Sequence, residues 1–254
     1  MAPPQRIPAD WIFEDDQVIN SPSRRAGMDA KEEMDSIRRG IKIMITVGTD
    51  LGLKMNSTSA AACVYFHRFY MLHSIHEFPF PATAISCLFL AGKSEETPKK
   101  CRDVGTSAIK CFKEYYGGQS LTQIMDDIMG MERVILQTIK FDFSIDLPYK
   151  YIVNYANNFK KKFPTIDIAD LVRCAWTLVN DSYYTHLSLQ WEPQIIAVSL
   201  FWLAIKLRQH DQINDTKWWE DHVAELAEDK IEGICHEVLD YYSLMNLNGA
   251  GAAT

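Results

Sequence analysis

The sequence lacks the motifs that mark the common catalytic classes. No GxSxG, HExxH, GxGxxG or GxxxxGK[ST] pattern occurs in its 254 residues. These patterns hold a serine nucleophile, a zinc ion or a nucleotide phosphate. The acidic pairs Glu95-Glu96 and Asp126-Asp127 are adjacent, so on a helix their side chains point about 100° apart and form no facing acid/base pair. We therefore expect a chain that is not an enzyme and that needs no cofactor.

Paired cysteines are also lacking, which argues against a disulfide framework or a zinc module. The six cysteines are Cys63, Cys87, Cys101, Cys111, Cys174 and Cys235. None of them lies in a CxxC motif, and most lie within apolar helical patterns. This usage is typical of small buried hydrophobic residues in a reducing compartment. His73 and His76 have helical spacing, but no cysteine pair completes a metal site there.

An excess of basic residues and a long apolar run are absent as well. The chain has 26 Lys and Arg against 33 Asp and Glu, a net charge of −7. That balance argues against broad phosphate binding, so no direct nucleic-acid partner is expected. The longest nearly apolar run, 195–205, is well short of the roughly 18 residues of a membrane span. The opening MAPPQRIPAD lacks the apolar core of a secretory signal.

Helical periodicity dominates what is present, and no strand alternation of convincing length occurs. Residues 1–27 are rich in Pro, Ser and charge and are predicted to form an arm, with Trp11, Ile12 and Phe13 as an apolar clip. A first helix is predicted over 29–50, on which Ile37, Ile41, Met44 and Ile45 form one stripe. Asn56, Ser57 and Thr58 are cap candidates for a second helix.

The third predicted helix, to about Glu96, is apolar around its whole circumference through "AISCLFLAGK", and Pro98 ends it. A helix of this kind must be surrounded by other helices. A fourth helix is predicted over about 102–115 and a fifth over about 120–140. A second helix of the surrounded kind follows Pro193 in "QIIAVSLFWLAIK", so the pattern of the first half repeats.

This repetition predicts two similar helical domains, each with about five helices around a buried central helix. We place an arm at 1–27, the first domain at 28–147, the second at 148–246 and a flexible tail at 247–254. The pair Trp218-Trp219 is expected to pack between helices.

Four segments in order, "YFHRFYMLHS", "LFLAGKSEETPKK", "MERVILQTIKFDF" and "SLQWEPQIIAV", resemble the cyclins, and most closely the transcriptional branch of that family. The resemblance covers about residues 10–245. It implies an all-α fold of two tandem cyclin boxes. It also implies a nuclear, non-catalytic subunit that activates a cyclin-dependent kinase, which in turn phosphorylates the C-terminal repeats of RNA polymerase II during elongation.

The resemblance also implies a binding site for the kinase. By motif match, Lys93 and Glu132 sit together at the kinase-facing surface, and Leu136 and Phe141 match apolar residues that pack against the kinase's αC helix. Glu96 and Phe89 are secondary candidates for the same surface. The docking patch of cell-cycle cyclins corresponds to Ile37, Ile41 and Met44 here, which lack its Trp.

Several alternatives stay open on the residues alone. Lys93 could simply be a cation at the C-terminus of a helix, where it would stabilise that helix by about 0.3–1 kcal/mol. Glu132 could be a solvated residue, and Leu136 and Phe141 could be ordinary core. A tandem cyclin-fold factor that binds promoter DNA is a rival function, which would require a basic face. An enzyme in its own right is a third hypothesis, which the missing motifs disfavour.

Overall fold

The computed structural model describes residues 11–164, 166–209 and 217–250, with side chains as far as 245. These residues are mainly helical, and no strand occurs among them. The chain divides into two compact units, Met1–Ile145 and Asp146–Thr254. The first ten residues of the predicted arm lie outside the described residues.

The first unit contains the following helices in chain order: α1 (Asp15–Ile19), α2 (Pro22–Arg25), α3 (Ala30–Asp50), α4 (Ala60–Tyr70), α5 (Phe80–Ser94), α6 (Cys101–Cys111), α7 (Lys113–Tyr116) and α8 (Leu121–Thr138). Helix α5 is the surrounded helix that the sequence predicts. It packs against α3, α4 and α8, and every residue from Thr83 to Gly92 is buried. The apolar circumference of α5 is thus accounted for, since each of its sides faces another helix.

Two local expectations for this unit are wrong. Asn56, Ser57 and Thr58 do not cap α4, because the chain forms a π-helical turn there, Met55–Ser59, that runs directly into α4. The Thr58 hydroxyl instead hydrogen-bonds that of Thr97 at 2.8 Å. The predicted fourth helix is two helices, since Phe112 at φ −138° and ψ 68° breaks the helical backbone between α6 and α7.

The second unit repeats the arrangement with α9 (Tyr149–Lys162), α10 (Ile168–Ser182), α11 (Leu187–Gln190), α12 (Pro193–Leu207), a 3₁₀ turn (Trp218–Asp221) and α13 (Glu228–Ala250). Helix α12 packs against α9, α10 and α13, and its residues from Ile196 to Ile205 are buried. Trp218 lies edge-on to Phe159 and Phe201, at centroid distances of 4.9 and 5.5 Å. The Trp pair is therefore interhelical packing, as predicted.

Helix α13 continues to Ala250, into the stretch 247–254 for which a flexible tail is predicted. Residues 251–254 lie outside the described residues.

The arm is held against the rest of the first unit by Trp11, a residue that is 4% exposed. Its indole N–H donates to an Asp142 carboxylate oxygen at 3.0 Å, and the Arg68 guanidinium lies 4.9 Å from the centre of its ring. Burial lowers the pKa of Arg68, and the Asp142 carboxylate opposes that shift. The buried Arg68 cation thus lies over the Trp11 ring and near the Asp142 carboxylate, two groups that are 131 residues apart in sequence.

Replacing Trp11 with Ala should destabilise the first unit by about 3–5 kcal/mol, since it leaves a cavity and removes the ring from Arg68. Denaturant unfolding followed by circular dichroism measures this change. The matched control is Ile19→Ala, also in the arm, whose side chain is 62% exposed and whose loss should cost about 0.5 kcal/mol or less. A loss from Trp11→Ala as small as the one expected for Ile19→Ala would show that Trp11 contributes little to stability.

Candidate functional site

Lys93 is brought to the surface by the way α5 ends. The N–H of Thr97 donates to the Gly92 carbonyl at 2.8 Å, and Glu96 has φ 53°. These are the features of a Schellman C-cap, in which Glu96 occupies the left-handed position that usually belongs to glycine. The buried helix therefore stops sharply, and its last turn carries an exposed cation.

Lys93 and Glu132 form a two-pronged ion pair. The Lys93 Nζ lies 2.7 Å from Glu132 Oε1 and 2.9 Å from Oε2. The Lys93 side chain is 44% exposed and that of Glu132 only 10%. Because the ammonium has three donors and one partner carboxylate, it keeps capacity to donate to an incoming acceptor.

Phe89 makes a cation–π contact with the lysine of this pair. The Lys93 ammonium lies 4.2 Å from the centre of the Phe89 ring, one helical turn earlier on α5. Phe89 itself is 6% exposed, so it offers little surface to a partner and orients Lys93 instead. Cys101 lies near enough to respond to both charges; burial raises the pKa of its thiol, Lys93 lowers it and Glu132 raises it.

Leu136 and Phe141 are brought together by the end of α8. The Phe141 N–H donates to the Leu136 carbonyl at 3.0 Å, which again marks a Schellman cap, and apolar residues commonly meet at these two positions. Lys140 and Phe141 both have left-handed backbones, at φ 55° and 57°. A non-glycine residue costs roughly 1–3 kcal/mol in such a conformation, and strain of this kind clusters at functional sites.

Several apolar side chains near the strained end of α8 are exposed to solvent. The Phe141 side chain is 61% exposed, and Phe143 two residues later is 41% exposed. Met129, on the same side of α8 as Glu132 and Leu136 by helical spacing, is 45% exposed. The end of α8 and the residues after it thus expose several apolar side chains, and Met129 and Leu136 lie on the Glu132 side of that helix. Sequence reasoning missed Met129 and Phe143, although their spacing to Glu132 and Phe141 is visible in the sequence.

The other predicted positions fall in different surroundings. Glu96 is exposed beside the ion pair, within the cap of α5. Ile37, Ile41 and Met44 are at most 2% exposed and belong to the core. They therefore cannot form a surface docking patch of the cell-cycle kind. His73 and His76 do not form a metal site: among residues 11–164, 166–209 and 217–250, no cluster of three or more His, Cys, Asp or Glu side chains could hold a metal.

The second unit carries a cation at the matching position, and within the described part of the chain no ion pair joins it to a carboxylate. Lys206 ends α12 as Lys93 ends α5, and its ammonium lies 4.7 Å from the centre of the Trp202 ring. When "DDIMGMERVIL" is aligned with "DKIEGICHEVL", Glu132 corresponds to Cys235, which is 3% exposed and whose thiol donates to the Ser199 carbonyl. The paired site is thus a feature of the first unit among the described residues.

None of the described helices is both long enough and apolar enough to cross a bilayer.

Comparison with known proteins supports the same assignment of fold. Residues 11–144 match the family described as "Cyclin, N-terminal domain". Cyclin-K of Homo sapiens is 42% identical over 92% of this chain, and Cyclin-K of Danio rerio is 40% identical over 92%. The chain spans 41% and 55% of the length of these two relatives, respectively.

Solved structures share the fold at lower identity. A chain of the CAK complex of Chaetomium thermophilum bound to ATP-gamma-S aligns with a TM-score of 0.72, at 16% identity, over 91% of this chain and 76% of that chain. A chain of the yeast RNA Pol II CTD kinase complex CTDK-1 aligns with a TM-score of 0.70, at 16% identity, over 91% and 72%. The two helical units are therefore tandem cyclin boxes.

Proposed function

This chain belongs to the cyclin family, and on that basis we propose that it is the activating subunit of a transcriptional cyclin-dependent kinase. That kinase phosphorylates the C-terminal repeats of RNA polymerase II during elongation. The chain itself is not catalytic, and its direct partner is the kinase in a heterodimer. The polymerase is reached through that kinase, and the complex acts in the nucleus.

The observation that carries the proposal is the Lys93–Glu132 pair, with Met129 and Leu136 on the same side of α8 as Glu132. The pair can meet both kinds of backbone group at the end of a kinase αC helix, since Lys93 can donate to carbonyls and Glu132 can accept from N–H groups. Leu136 and Phe141 supply adjacent apolar area, and Glu96 extends the rim. Holding αC in place aligns the kinase's Lys–Glu ion pair and its metal-binding Asp.

The likeness to the two cyclin K proteins favours the transcriptional branch, and the yeast CTDK-1 likeness is consistent with a polymerase kinase. In this proposal the first cyclin box spans 28–147 and the second spans 148–246. The first box carries the kinase contacts, because the position of the second unit that matches Glu132 is the buried thiol of Cys235.

A titration of the purified chain against a panel of cell-cycle and transcriptional kinase domains tests the proposal. We expect binding to a transcriptional kinase, together with faster phosphorylation of a polymerase repeat peptide. Binding only to cell-cycle kinases would contradict the assigned branch, and no binding to any kinase would contradict the function.

Promoter-DNA binding is the alternative function, and the charge of the chain disfavours it. A net charge of −7 leaves little capacity to neutralise phosphates. Submicromolar binding of a promoter duplex at low salt, weakening steeply as salt is added, would favour this alternative.

A further inference from the structure

A groove in the first unit has an apolar floor and an acidic rim. It encloses about 560 Å³ between the start of α5 and the N-terminal half of α8. Ile85, Tyr116 and Ile124 contribute to its floor, and Glu77, Asp126 and Asp127 to its rim. We call this feature the acidic groove. No residue of α3, the helix whose buried Ile37, Ile41 and Met44 match the docking patch of cell-cycle cyclins, lines it.

The charge of the acidic groove is uncompensated by its own lining. All three rim carboxylates are exposed, and no Lys or Arg is among the lining residues, all of which lie in described parts of the chain. Within the lining, Asp127 accepts a hydrogen bond of 3.3 Å from the neutral Gln119 amide. The chain as a whole adds to this negative potential with its net charge of −7. A cationic ligand is therefore attracted, and a nucleic-acid phosphate is repelled.

Most of the α8 lining of the acidic groove points away from Leu136. At about 100° per residue, Asp127 lies about 180° around the helix from Leu136 and Gly130 about 120° from it, whereas Asp126 lies about 80° from it. The Asp127 side of the acidic groove is therefore the side that faces away from the kinase-facing residues of α8.

The shape of the acidic groove favours side chains rather than a broad protein surface. Pockets of roughly 300–1,000 Å³ accommodate small ligands, so 560 Å³ takes two or three side chains. Gly130 lies on the wall, and a Cβ built there meets no atom within 4 Å. An interior helix glycine costs roughly 0.5–1 kcal/mol relative to Ala, and no close packing requires one at this position. Because Gly130 has no side chain, nothing from this position projects into the acidic groove.

We propose that the acidic groove is a docking site for a short segment of a partner protein in which Lys or Arg residues flank an apolar anchor. The anchor enters between Ile85 and Ile124, and the flanking cations meet Glu77, Asp126 and Asp127. This site is separate from the kinase-binding surface, so the cyclin can hold a kinase and a second protein at the same time. Peptide binding is measured without any kinase, so its failure would leave the kinase proposal intact.

Fluorescence anisotropy of the full chain with three labelled peptides tests this inference. The first has Leu-Phe at its centre and two Lys or Arg residues on each side. The second replaces the basic residues with acidic ones, and the third replaces Leu-Phe with Ser-Gly. We expect the first peptide to bind at micromolar concentration, more weakly as salt rises, and at least tenfold more tightly than either of the others.

Two variants locate the binding. Asp126→Asn/Asp127→Asn removes rim charge and should weaken the first peptide at least tenfold. Gly130→Leu keeps every charge, partly fills the acidic groove and should weaken it similarly, and the open space around Gly130 allows the helix to tolerate the side chain. The matched control, Glu232→Gln/Asp240→Asn, removes two exposed carboxylates from α13 and should leave the affinity unchanged.

Three outcomes would overturn the inference. The Ser-Gly peptide could bind as tightly as the Leu-Phe peptide, which would indicate general charge attraction. The α13 control could weaken binding as much as the α8 variant does. Finally, the chain could bind no peptide and form a dimer by sedimentation that Gly130→Leu abolishes, which would assign the acidic groove to a second copy of this chain.

Discussion

Lys93→Glu should lower the affinity for the kinase from several-fold to about a hundredfold. The substitution puts a carboxylate where the kinase is expected to present backbone carbonyls, and reversing a charge at an interface centre is costly. The fold should survive, because the Lys93 side chain is 44% exposed and lies in the last turn of α5. The melting temperature should nevertheless fall, because Glu132, whose side chain is only 10% exposed, then faces a second carboxylate. Isothermal titration with the kinase and thermal melting of the chain alone measure the two effects.

Lys206→Glu is the matched control for this substitution. Lys206 also lies in the last turn of a surrounded helix and over an aromatic ring, but the position that matches Glu132 in its unit is Cys235. We expect its reversal to leave kinase affinity unchanged. Equal losses from both reversals would show that the kinase responds to overall charge and not to the Lys93–Glu132 site. A collapsed melting transition in Lys93→Glu would show that Lys93 is structural.

Leu88→Asp should unfold the first unit. Leu88 is 1% exposed in the middle of α5, so a carboxylate there is buried without a partner. A penalty of several kcal/mol is comparable with the roughly 5–15 kcal/mol that stabilises a typical domain. Helix α5 packs against α3, α4 and α8. If Leu88→Asp displaces α5, these three helices therefore lose the surface against which they pack. Circular dichroism and limited proteolysis measure the loss.

Leu88→Met is the control at the same position, since a volume-conserving change usually costs less than about 1.5 kcal/mol. The second unit has its own surrounded helix, α12, and we expect some of its helical signal to persist in Leu88→Asp. A Leu88→Asp variant that melts like the unaltered protein would mean that α5 is not the central support of the first unit.

The sequence predicted the surrounded helices well because their pattern is local. A run such as Thr83 to Gly92 is apolar on every side, and only burial on every side satisfies it. The helix ends were harder to predict. Glu96, Lys140 and Phe141 adopt left-handed backbones without being glycine, so turn chemistry gives no indication of either Schellman cap.

The candidate site was predictable only through the resemblance. Lys93 and Glu132 are 39 residues apart, and spacing alone favours a cation at a helix C-terminus for Lys93 and a solvated helix residue for Glu132. The structure brings them together because α5 and α8 pack side by side. The Trp11, Arg68 and Asp142 cluster was missed for the same reason, since segments far apart in sequence share no periodic pattern. The acidic groove likewise depends on packing between α5 and α8.

Exchanging the two charges within the chain tests the central claim most directly. Lys93→Glu and Glu132→Lys each place like charges together, whereas the double variant restores an ion pair of reversed polarity. We predict that the double variant recovers the melting temperature lost by the single variants but does not recover kinase affinity or activation. Recovery of both would contradict the account, because it would show that the pair serves only the stability of the fold.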